Sequence, residues 1–131
     1  MKLKTFLIIN SVLSEVYGIF MLLFPARAGS YYLFFASPEI TFGIRLLGVY
    51  LLAAGLLSWS TRKSLPSKAR TDILYTFLAM DVLGFLVALI YQLNNTVSNL
   101  GWSTIVIYLL LAVGFGYFLY GKPKAGKVQK L

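Results

Sequence analysis

The sequence predicts an all-α polytopic membrane protein, an antiparallel four-helix transmembrane bundle, and three observations predict it. Of its 131 residues, 59% are hydrophobic and only 12% are charged, about half the charged share of an ordinary soluble domain. Four apolar windows, roughly 5–24, 39–59, 72–93 and 102–120, are each long enough to cross a bilayer core of about 30 Å. The basic residues gather outside these windows, almost all in three places.

The first window ends at Pro25, which cannot continue a helix, and runs on into Ala26-Arg27-Ala28-Gly29-Ser30. Lys2 and Lys4 before it, and Ala26-Arg27-Ala28 after it, imitate a secretory signal with its cleavage site. The apolar run is longer than a signal core and Glu15 interrupts it, so the segment is read as the first helix. Segment 25–38 is the longest connection on its side, and Tyr31 to Phe35 make it aromatic. That points to a short interfacial helix at headgroup level or, in a sharper reading, to a lid over a pocket. Ser37-Pro38-Glu39 starts the second span, with Ser as cap, Pro at the first helical position and an acid in the first turn. Thr71 or Asp72 is the expected cap of the third. Residues 94–101 connect the third span to the fourth, and Gly121 with Pro123 closes the last. The sequon Asn94-Asn95-Thr96 has meaning only in a eukaryotic secretory route. No linker divides the chain, so one domain is expected over 1–131.

Lys2 and Lys4 precede the first span. Arg62, Lys63, Lys68 and Arg70 fill the middle loop, and Lys122, Lys124, Lys127 and Lys130 follow the last span. The two other connections hold Arg27 alone. Because cytoplasmic loops carry the Lys/Arg excess, the expected location is the inner (plasma) membrane with both termini cytoplasmic. The expected partners are membrane lipids, touched among others by the basic tail, together with a second copy or another membrane protein. Nucleic acid is not expected, because the basic residues flank apolar runs instead of forming a stripe. With no cysteine and no histidine, thiolate chemistry, haem ligation by His and the usual zinc sites are excluded, and no cofactor or metal is expected.

Glu15, Arg45 and Asp81 lie inside spans, where an ionisable residue is a functional-site candidate by default. The least costly arrangement turns all three inward and pairs them, the Arg45 fork taking both carboxylates. The supporting residues are small or polar. Ser11, Ser14 and Gly18 accompany Glu15, and Thr41, Gly48 and Gly55 accompany Arg45. Gly84 and Ala88 accompany Asp81, continuing to Tyr91 and Gln92. Thr104, Tyr108 and Ala112 share a face of the fourth span, while Glu39 and Arg27 read as ordinary interface charges. Glu15-Val16-Tyr17-Gly18 and Asp81-Val82-Leu83-Gly84 echo each other, as a duplicated helix pair would.

"LSEVYGIFMLLF" (13–24) resembles the first helix of small multidrug-resistance transporters, a likeness that would give Glu15 a shared proton and substrate role. Over nearly its full length the chain resembles small four-helix bacterial membrane proteins, DoxX-like in layout. The features are Pro25 closing the first helix, "RLLGVYLLAAGLLSW" (45–59) and Asp81 in the third. That resemblance implies architecture without an activity. The leading expectation is an integral membrane protein of structural or accessory type, not an enzyme, whose Glu15/Arg45/Asp81 cluster fixes helix register. The alternative is a small proton-coupled transporter of a cationic or amphipathic substrate. A membrane enzyme acting on lipid comes third.

Overall fold

The computed structural model describes residues 2–33, 37–94 and 96–121. The chain is all-α across these residues: α1 (Leu3–Leu23), α2 (Pro25–Leu33), α3 (Pro38–Thr61), α4 (Lys68–Leu93) and α5 (Gly101–Tyr120). All but the short α2 are long and apolar enough to cross a membrane. Their outward faces are oily, with Phe42, Leu56, Leu83, Leu110 and Val113 exposed, as lipid contact requires and as water would not tolerate. The tail 122–131, Phe34 and Phe35 of the aromatic segment, and Asn95 of the sequon lie outside the described residues.

Local chemistry sets the helix ends. The Ser37 hydroxyl accepts the Ile40 N–H at 3.2 Å, and Pro38 opens α3 as expected. Pro25 does more than end α1. It also opens α2, whose first turn needs no proline N–H, so a short helix of the kind expected in this connection starts at the proline itself. Helix α4 begins ahead of the expected Thr71 or Asp72 cap because Ser67 supplies the cap instead, accepting the Arg70 N–H at 3.1 Å. The added turn carries a surface Lys68–Asp72 ion pair, one turn apart at 3.1 Å.

The four spans form two antiparallel hairpins. In the first, α1 lies on α3 with almost no side chain between them at the crossing. A Cβ on Gly18 would stand 2.9 Å from the Gly48 carbonyl oxygen, and one on Gly48 would stand 2.8 Å from that of Gly18. Only glycine permits this approach, because the obstacle is backbone that cannot swing aside. Hydrogen bonds stitch the same seam. The Ser11 hydroxyl donates to the Gly55 carbonyl at 2.9 Å. Ser58 donates to the Leu7 carbonyl at 2.7 Å and accepts from Asn10 at 3.2 Å. In the second hairpin, α4 packs on α5 through the Tyr108 ring seated on Gly84 and through Phe77 stacked on Phe115 at 5.3 Å.

The hairpins meet chiefly at one end. Phe6 of α1 drives its ring into the niche left by Gly114 of α5 and meets the Phe115 ring edge-on at 4.8 Å. Phe6, Leu7, Leu74, Phe77 and Phe115 form the buried core there, near the 62–67 connection, hence at the basic end. Toward the opposite end the hairpins part. The Ser98 hydroxyl donates to the Tyr31 carbonyl and ties the α4–α5 connection to α2.

Candidate functional site: a cleft between the two hairpins

Where the hairpins part they leave a half-open cleft of about 410 Å³, within the range of small-molecule sites. Helix α1 contributes Leu13, Ser14, Tyr17 and Met21 to its wall, and α3 contributes Ile44, Leu47, Leu51 and Ala54. From the other hairpin come Met80, Asp81, Ala88 and Gln92 of α4, with Thr104, Ile107, Tyr108 and Leu111 of α5. Phe77 and Asn10 lie at the deep end beside the aromatic core, and Ala28 and Leu33 of α2 with Val97 line the other. Residues of the segment expected as an interfacial helix or lid therefore form part of a pocket wall. The lining is apolar with a few placed polar groups.

Asp81 is the chemical singularity of this wall. It is 5% exposed, and its Oδ2 has no hydrogen-bond partner among the described residues. A buried carboxyl oxygen without a partner is costly in any protein and more so in a membrane. Tyr108, expected to support the site, lines the cleft on the facing helix, held in place by the absence of a side chain at Gly84. Ser14 also lines the cleft, as does Thr104 from the predicted face of the last span.

No ion pair joins Arg45 to Glu15 or Asp81: among the described residues the one ion pair is Lys68–Asp72. Glu15 does turn inward, but into the α1/α3 seam. Its carboxyl group fills the place where a Gly55 side chain would stand, and its Oε2 has no partner among the described residues. Arg45 is exposed on the outer side of α3, about two turns from the Pro38 end. The physical reason lies in its stem. A guanidinium at that depth reaches the headgroup level by extending along the helix, so it need not pair in the core. The small residues expected around the charges pack helices instead. Ser11, Gly18 and Gly48 belong to the α1/α3 seam, and Thr41 bonds locally to the Pro38 carbonyl at 2.9 Å.

Two contributors escape a search for charges. Asn10 and Ser58 are uncharged, yet they are buried and bonded across the seam. An Asn in an otherwise apolar span is the signal that could have found the first. Gln92 is a further buried polar group of the cleft, 6% exposed. Its Nε2 donates to the Val97 and Ser98 carbonyls at 3.3 and 3.1 Å, which fixes the amide's orientation and leaves Oε1 without a partner among the described residues. No family profile, no curated protein and no solved structure matches this chain.

Proposed function

We propose that this chain is a small membrane carrier that takes an amphipathic cation into the cleft and exchanges it for a proton at Asp81. The observation that carries the reading is the buried, unpartnered Asp81 Oδ2 on the wall of a cleft that is otherwise mostly apolar. Apolar walls accept the hydrocarbon part of such a molecule. The carboxyl group accepts its charge, assisted by the negative faces of the Tyr17 and Tyr108 rings. A cation and a proton compete for the same oxygen atoms, so binding of one is linked to release of the other. No bond in the cargo is made or broken, and the role is not enzymatic.

The orientation proposed with it places the chain in the inner (plasma) membrane with both termini cytoplasmic. Ten basic residues before the first span, between the second and third and after the last, against Arg27 in the two other connections, support this. The cleft then opens outward. The resemblance to DoxX-like four-helix proteins agrees with such a setting.

The test is proton movement in proteoliposomes holding the full chain, driven by a gradient of decyltrimethylammonium, a permanent cation with an apolar tail. Wild-type protein should move protons. Asp81→Asn should abolish the movement while keeping its melting temperature in detergent. Equal movement by Asp81→Asn and wild type, or none by wild type, overturns the reading.

A further inference from the structure

Gln92 gives the same cleft a second unmet acceptor, and its position says what the cargo looks like. Asp81 and Gln92 stand on one helix, eleven residues apart by number. Eleven steps of 100° bring them back to the same face, about 16 Å apart along the axis. Both line the cleft, both are more than nine-tenths buried, and each keeps an oxygen without a partner among the described residues. Between them the wall is mostly apolar, with Ala88 on the same helix and Leu47 and Ile107 from the two hairpins, and Thr104 and Tyr108 of α5 add the polar groups of that stretch.

Among the described residues no donor meets the Gln92 oxygen. Both amide hydrogens of Gln92 are used on the Val97 and Ser98 carbonyls. The neighbouring N–H groups that open α5 are used as well: Gly101 donates to the Ser98 carbonyl at 2.9 Å, and Trp102 to that of Asn99 at 3.1 Å. Position 101 keeps room for the oxygen, because any side chain there would collide with the Gln92 amide.

We propose that the cargo is two-headed: a cationic group for Asp81, a linear apolar stretch, and a terminal hydrogen-bond donor, a hydroxyl or an amine, for Gln92. This rests on the carrier reading and sharpens it. A single-headed amphiphile meets Asp81 and leaves the Gln92 oxygen buried and unmet. A two-headed one of the right length satisfies both, whereas a short one strands its second head against mostly apolar walls.

The experiment titrates the full chain in lipid nanodiscs with alkyltrimethylammonium ions from hexyl to hexadecyl, each beside its ω-hydroxy analogue, with empty nanodiscs subtracted. The hydroxyl should weaken binding of the short members and strengthen it about tenfold at one intermediate length, the yield of one buried hydrogen bond. In Gln92→Met the gain should vanish. Because the ratio is taken within each variant, a general loss of stability cancels. Should Gln92→Met fail to fold, Gln92→Glu keeps the acceptor and adds charge, so it should shift preference from the ω-hydroxy to the ω-trimethylammonium analogue. If plain ions bind in an Asp81-dependent way but the hydroxyl weakens them at every length, the two-headed cargo is wrong and the carrier reading stands. A gain that survives in Gln92→Met also overturns it. If no member of the series binds, both readings fall.

Discussion

Gly55 lacks a side chain because the Glu15 carboxyl group occupies its place. The arrangement makes a coupled pair whose energetics can be read by substitution. Gly55→Ala puts a methyl group where the carboxyl stands, and overpacking of this kind costs about 1–3 kcal/mol. Glu15→Ala in the same background removes the obstacle, so thermal unfolding in detergent should show the double variant recovering much of that loss. If the two changes simply add, the contact is wrong. Glu15→Gln alone should leave the melting temperature unchanged or raised, since no partner among the described residues is lost with the charge. At this scale the sequence was legible in part. That Glu15 and Asp81 face inward follows from the cost of a charge in lipid, and both do. Their pairing through Arg45 does not follow, because a long cationic stem has a second way out of hydrocarbon that a short carboxylate lacks. Spacing along one helix does not reveal which of those ways is taken.

Among the elements, the α1/α3 hairpin depends on backbone contact more than on side chains. Gly48→Leu should therefore separate the two helices and lower the melting temperature sharply, because its side chain meets the Gly18 carbonyl and the Leu22 backbone. The control is Gly116→Ala. Nothing lies within 4 Å of a Cβ at position 116, and alanine there should be neutral or stabilising by about 0.5–1 kcal/mol through helix propensity. Both glycines look alike in sequence, and only the neighbour decides between them. Element ends divided in the same way. Ser37-Pro38-Glu39 announced α3 because cap, proline and acid are all local signals. The start of α4 was missed because the apolar window begins after Lys68, while the Ser67 cap acts on backbone ahead of it. Where the short helix of this connection starts was hidden by Pro25, whose ring ends one helix and suits the first turn of the next.

For the molecule as a whole, number, length and antiparallel order of the spans were legible because a bilayer imposes them on any chain that crosses it. The division into two hairpins was not. Neighbours in sequence do not reveal that α1 grips α3 across an intervening short helix, nor that Phe6 and Gly114 join the pairs at one end only. The cleft follows from that uneven joining, so it too was invisible. Asp81 could be singled out, but not the volume in front of it.

The aromatic core at the basic end has an electrical consequence. It packs the bundle tightly on one side of Asp81 while the cleft lies on the other, so a charge docked at Asp81 stands inside the transmembrane field. A full crossing of that field is worth about 2.3 kcal/mol per elementary charge at 100 mV. With the basic end cytoplasmic and negative, as proposed, the voltage draws a cation from the mouth inward and the phenylalanines halt it partway. Apparent affinity for decyltrimethylammonium should then rise when vesicles are polarised inside-negative, and Asp81→Asn should remove the rise. Phe6, Phe77 and Phe115 would in that case be the insulator of a small voltage-loaded trap.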